Sequence, residues 1–88
     1  KYHVTGFDIG YFKDCNLQKI KKIKNFKQTF KDIRNIDKDD LKNIDCVVHL
    51  AALSNDPLGQ FNHKTTIDIN YRGTKKLADM AKKNGIKK

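Results

Sequence analysis

Apolar residues fall in short clusters between long polar stretches, and the spacing inside each cluster predicts an element. Residues 2–8, Tyr-His-Val-Thr-Gly-Phe-Asp, alternate apolar with small or polar side chains and end on Asp8 before Gly10. That pattern predicts a strand with Asp8 at its carboxyl end. Between residues 13 and 27, Leu17, Ile20, Ile23 and Phe26 recur every third position among lysines, which predicts a short amphipathic helix. Residues 28–33 predict a second short strand that closes on Asp32 and Ile33. Residues 37–44 open on acids, as suits a helix amino end, and predict two turns that pack Leu41 and Ile44. Residues 45–53, Asp-Cys-Val-Val-His-Leu-Ala-Ala-Leu, show no alternation and predict a strand buried on both faces of a parallel sheet.

After Pro57 and Gly59 the longest helix is expected to open at Asn62, a good N-cap residue. Ile67, Tyr71, Thr74, Leu77, Ala78 and Ala81 recur at three- and four-residue spacing and form its predicted inner stripe, with Tyr71 in the core. Lys82 and Lys83 suit its last turn, and Gly85 suits the left-handed position just past it. Gly73 in mid-helix costs about 1 kcal/mol against alanine, which a close helix–sheet approach would offset. The order strand, helix, strand, helix, strand, helix predicts an α/β fold. Its parallel sheet has about three strands joined by right-handed crossover helices. No internal repeat or dividing linker is visible. The chain opens on Lys1 and stops on Lys88 just past a helix, so it reads as an internal part of a larger domain. A small complete domain trimmed of its first methionine is the alternative.

Composition changes this picture little. A formal charge of +9 on 88 residues raises nucleic acid as a partner. Of 19 basic residues, however, only Arg34 and Arg72 are arginine, the residue type that carries most bidentate phosphate and base recognition. Lysines solvating the surface explain the charge, and no specific nucleic acid is expected. Cys15 and Cys46 make no Cys-x-x-Cys pair, and Cys46 sits inside a predicted core strand, which fits a reducing cytoplasm. No apolar run approaches the ~20 residues of a membrane span, so no membrane partner is expected. His3, His49 and His63 show no metal-ligand spacing with the cysteines, and His49 reads as a satisfied core histidine.

Candidate chemistry gathers at predicted strand ends. Ala51 and Ala52 are small and let a ligand approach the backbone at the carboxyl end of their strand, the edge where open α/β sheets bind ligands. Asp8, at the end of the first strand, can accept hydrogen bonds from both hydroxyls of an adenosine ribose, or it can cap a turn. Its charge repels a 2′-phosphate and so favours NAD over NADP. Asp32 can accept from the amino group of adenine while Ile33 lies on the ring face. Leu50, Ala51, Ala52 and Leu53 would pass the middle of the cofactor. Asn70 is polar on the inward side of the long helix, where a buried amide needs partners. Backbone beside a cofactor, or a structural tie from helix to strand, would each supply them.

Taken in order, Val-Thr-Gly-Phe-Asp8, Asp32-Ile-Arg34, His49-Leu-Ala-Ala52 and Asp68-Ile-Asn-Tyr-Arg-Gly-Thr74 resemble the extended short-chain dehydrogenases/reductases. More narrowly they resemble the NAD-dependent epimerase/dehydratase group acting on nucleotide sugars, such as the UDP-glucose 4-epimerases. The resemblance covers nearly the whole chain. It implies an internal part of a Rossmann-type doubly wound sheet over residues 1–88, with NAD as cofactor and a nucleotide-diphosphate sugar as partner. By the same resemblance Asp8 is the ribose-binding acid, and Ile9 and Gly10 are the adenosine-side loop. Asp32 and Ile33 are the adenine contact, Leu50, Ala51, Ala52 and Leu53 line the nicotinamide side, and Asn70 is the helix asparagine near the cofactor. The loop 54–59 falls where the family begins to meet substrate.

The family's Gly-rich phosphate turn is expected to precede Lys1, and its catalytic Ser/Thr and Tyr-x-x-x-Lys to follow Lys88. No catalytic residue is therefore assigned within the chain. Tyr71 and Lys75 fit Tyr-x-x-x-Lys but lie one crossover too early. Two rival readings stand beside this one. Another NAD-dependent reductase of the same superfamily would share every residue named. A small basic polyanion-binding module without enzymatic activity would use only the lysine-rich surface, and steep salt dependence would reveal it. A homodimer is an assembly that the resemblance allows.

Overall fold

The computed structural model describes residues 1–12, 23–54 and 62–88. The chain divides into two compact units, residues 1–32 and 33–88. In the first unit, β1 (Val4–Asp8) and β2 (Phe26–Phe30) pair in parallel, with Val4 opposite Phe26 and Asp8 opposite Phe30. Val4 N donates to Asn25 O at 2.8 Å and Lys31 N to Asp8 O at 2.9 Å, so the ladder runs one step past the strands at each end. Gly6 makes room for the Phe26 ring across this pairing. A Cβ there would stand 2.9 Å from Phe26 Cζ, so the missing side chain is what lets the ring lie over β1.

The first predicted strand is therefore present, trimmed to Val4–Asp8. The second is shifted: it starts at Phe26 and ends at Phe30, leaving Asp32 just beyond it and Ile33 in a 3-10 turn, Ile33–Asn35. The predicted helix over 13–27 thus loses its last two residues to β2. The ladder gives residues 26–30 backbone partners that the end of an isolated lysine-rich helix would not have. Residues 13–22 of that predicted helix, with Cys15, lie outside the described residues, as does most of the loop 54–59.

In the second unit a short 3-10 turn, Asp39–Leu41, stands where two helical turns are expected. Its start is well made. The Asp37 carboxylate accepts from Asp39 N and Asp40 N at 2.9 and 3.2 Å, and Asp40 returns the favour to Asp37 N at 2.8 Å. This reciprocal cap resembles a capping box. The turn stops because Lys42 is extended and Asn43 is left-handed, with φ 59°. Leu41 is nevertheless buried, as predicted, and Ile44 is half-buried.

The long helix is continuous over 63–83 and has three parts: α1 (His63–Ile67), a π turn (Asp68–Gly73) and α2 (Thr74–Lys83). Asn62 caps it as predicted, its side chain accepting from Thr65 N at 3.0 Å. Its far end is a Schellman motif. Gly85 takes φ 75° while Gly85 N donates to Lys82 O and Ile86 N to Ala81 O, at 3.1 and 3.0 Å.

The inner face of the helix is the predicted one only in part, at Thr74, Leu77 and Ala81. Ile69, Gly73 and Leu77 are buried, with Asn70, Thr74 and Ala81 half-buried, whereas Ile67, Tyr71 and Ala78 are exposed. Tyr71 is 65% exposed and so is no core residue. The reason lies in how closely this helix packs. A Cβ on Gly73 would meet Ile33 Cγ2 at 3.2 Å, so the contact face needs small residues, and those carry little hydrophobic signal. The glycine does serve a close approach, made to the Ile33–Asn35 turn rather than to a sheet.

Residues 45–53 form no ladder among the described residues. Val47 N donates to Lys88 O at 2.9 Å. Val48 and Leu50 are 75% and 86% exposed, and Cys46, Ala51 and Ala52 are exposed too, which contradicts burial on both faces. Val47, His49 and Leu53 are half-buried instead. Two-face burial needs cover on two faces, and within this unit the helix covers one. The described architecture is two parallel strands and a helix, an α/β mix compatible with part of a Rossmann-type fold. The third strand and the crossover helices are not formed among the described residues.

Candidate cofactor-binding site

Parallel pairing places the carboxyl ends of β1 and β2 at one edge of the two-stranded sheet. Asp8 ends β1 there, and Asp32 follows β2 by two residues. The Asp8 carboxylate is exposed, and its Oδ1 accepts from Gly10 N at 2.6 Å. Gly10 makes this turn possible. Its φ is 75°, and a Cβ on it would stand 2.8 Å from Phe30 Cδ1. Asp8 is thus a turn cap, and its carboxylate also lies exposed at a sheet edge. Ile9, between them, is 40% exposed. An exposed carboxylate of fixed direction is an acceptor suited to a vicinal diol, and this donor–acceptor chemistry fits the ribose of NAD.

In the second unit, Ile33 is half-buried against Gly73, so part of its side chain is already engaged by the helix. Asn70 grips Leu53 twice: Nδ2 donates to Leu53 O at 2.9 Å and Oδ1 accepts from Leu53 N at 2.8 Å. The structural tie from helix to segment is therefore real. Leu50, Ala51 and Ala52, just upstream, leave their side chains exposed.

Two arrangements went unforeseen. The first is the partner of His49, a histidine expected to be satisfied: its Nε2 lies 2.7 Å from Thr74 Oγ1. The polar character of Thr74 within a helical stripe was the available signal. Second, both arginines of the chain, Arg34 and Arg72, line one open groove of about 280 Å³ with Asp68, Gly73 and Lys76. Arg72 pairs with Asp68 at 2.8 Å and Lys76 Nζ donates to Arg34 O at 2.8 Å. The rarity of arginine was the signal here, and the sequence could not show that the two positions line one groove.

Lys75 donates to Asp79 Oδ2 at 2.8 Å. That hydrogen bond and the carboxylate's charge hold the ammonium above its ordinary pKa, and the Lys75 hydrogen bond holds Asp79 below the usual carboxylate range. No group of three or more His, Cys, Asp or Glu side chains gathers as a metal site among the described residues. No helix among them is long and apolar enough to cross a membrane.

Residues 2–88 match the family model of the 3-beta hydroxysteroid dehydrogenase/isomerase family. The chain belongs to that family. It lies within the extended short-chain dehydrogenase/reductase and NAD-dependent epimerase/dehydratase superfamily, which the order of motifs resembles. The match is to a hydroxysteroid family and does not reach a specific likeness to the UDP-glucose 4-epimerases. The family is generally NAD(P)-dependent. No curated protein and no solved structure matches the chain.

Proposed function

We propose that this chain supplies walls of an NAD site in an enzyme that removes hydride from a secondary alcohol carbon. The observation that carries the reading is the Asp8 carboxylate, aimed by Gly10 N–H at the carboxyl edge of a parallel strand pair. Asp8 accepts from the ribose hydroxyls, and Ile9 and Gly10 form the loop beside the adenosine. Asp32 accepts from the adenine amino group, and the accessible part of Ile33 lies on the ring. Leu50, Ala51, Ala52 and Leu53 bound the nicotinamide side, and Asn70 holds that segment in place through Leu53. NAD, when bound, supplies the hydride-accepting ring. The contribution of this chain is to bind and orient, because fixed geometry is what makes a transfer effectively unimolecular.

For the substrate class we propose a nucleotide-diphosphate sugar, epimerised or dehydrated, and for the assembly a homodimer. The motif order from Asp8 to Thr74 supports the sugar reading. A second reading, oxidation of a 3β-hydroxysteroid, is favoured by the family match. Net cofactor balance separates the two. An epimerase or dehydratase returns the hydride to the sugar, so the natural protein should convert a UDP-sugar with NAD present and accumulate no NADH. A steroid dehydrogenase leaves one NADH per alcohol oxidised. Stoichiometric NADH with a 3β-hydroxysteroid, and no sugar turnover, would replace the first reading by the second. Turnover of neither, with no NAD bound, would end both.

A further inference from the structure

We propose that His49, Thr74 and Asn70 act as one hydrogen-bonded clamp, joined at Asn70, that fixes the backbone of residues 50–53 against the cofactor, with His49 and Thr74 as positioning residues. This rests on the NAD-site reading above. The Thr74 hydroxyl has a single proton and gives it to Asn70 O at 2.7 Å. Its 2.7 Å contact with His49 Nε2 must therefore be one in which the oxygen accepts, so Nε2 carries the proton. Hydrogen bonds run from the His49 ring through the Thr74 hydroxyl to the Asn70 backbone carbonyl, and the side-chain amide of the same Asn70 closes on both backbone groups of Leu53, so the two halves are joined covalently within Asn70.

Two helix positions one turn apart, 70 and 74, thus hold the segment at 53 and at 49. The residues spanned between these anchors, Leu50, Ala51 and Ala52, are exposed, so side-chain packing within this unit does little to place them. Apolar pairs at 49 and 74 would pack the seam at lower desolvation cost. What polar partners add is a fixed distance and direction, and the backbone that gains from it is the exposed run beside the proposed cofactor.

The test compares Thr74→Val, which deletes the hydroxyl at nearly constant volume, with Thr74→Ser, which keeps it. His49→Leu and His49→Gln make the same comparison from the other side, since the glutamine amide retains a donor. Two readouts are taken well below the melting temperature: amide exchange at Leu53 without cofactor, and the dissociation constant for NAD by titration calorimetry. Thr74→Val and His49→Leu should speed exchange at Leu53 severalfold, up to about tenfold as for one lost hydrogen bond, and weaken NAD by a similar factor. Thr74→Ser and His49→Gln should lie close to the wild type in both. Unchanged exchange at Leu53 in Thr74→Val and His49→Leu would overturn the proposal, whatever happens to the melting temperature. So would faster exchange with NAD affinity intact, since the clamp would then serve stability alone. If the wild type binds no NAD, the cofactor reading itself fails, and the exchange arm still decides whether the clamp holds residues 50–53.

Discussion

Asn70→Leu should destabilise the protein by about 1–3 kcal/mol, the usual cost of leaving part-buried polar groups without partners, and should weaken NAD as well. The leucine fills the space of the amide but offers nothing to Leu53 N and Leu53 O, which Asn70 satisfies at 2.8 and 2.9 Å. Asn70→Asp is the sharper variant. Its carboxylate can still accept from Leu53 N, but where the amide donates it would face the Leu53 carbonyl with a second acceptor. Both variants should lower the urea midpoint without changing the slope, because the surface exposed on unfolding is the same. A midpoint equal to wild type for Asn70→Leu would mean that water replaces the amide and that the clamp does not hold the segment.

Leu77→Ala should cost about 2–5 kcal/mol, the range for a buried leucine truncated in a packed core. Leu77 is 5% exposed and lies on the same helix face as Ile69 and Gly73. Against a total stability of about 5–15 kcal/mol for a small domain, such a loss is a large fraction of the whole. Thermal unfolding followed by circular dichroism reads it directly. A loss under about 1 kcal/mol would show that the 33–88 unit rests little weight on this helix face. The exposed Tyr71, truncated in the same way, provides the contrast and should change stability far less.

Signals confined to a few neighbouring residues were legible from the chain. The Asn62 cap, the left-handed Gly85 ending and the β1 strand closing on Asp8 each depend on contacts within one or two turns. What depends on a partner was not. β2 begins at Phe26 because its ladder begins there against Val4, a pairing that the local spacing of Ile23 and Phe26 does not report. Residues 45–53 have strand-like composition, yet a strand also needs neighbours on its edges and cover on its faces. On the helix face, Thr74, Leu77 and the inward Asn70 were legible, whereas spacing also pointed to Ile67, Tyr71 and Ala78, which are exposed. What it passed over is Ile69 and Gly73, where closeness to Ile33 counts as much as apolarity. Of the site residues, the aimed carboxylate of Asp8 and the inward amide of Asn70 could be anticipated. The meeting of His49 with Thr74, and the shared groove of Arg34 and Arg72, could not, since each joins positions far apart in the chain.

The central claim, that Asp8 recognises the adenosine ribose of NAD, is tested most directly by titrating wild type and Asp8→Asn with NAD and with NADP. Asparagine keeps an oxygen for Gly10 N–H, so the turn survives, while the charge is removed and the second acceptor becomes an amide donor. The wild type should bind NAD at least tenfold tighter than NADP, because a carboxylate accepts from the diol and repels a 2′-phosphate. Asp8→Asn should weaken NAD by about tenfold, the scale of a charge-assisted hydrogen bond, and should narrow the gap to NADP. An NAD to NADP ratio that the substitution leaves unchanged, or a wild type that prefers NADP, would contradict the account.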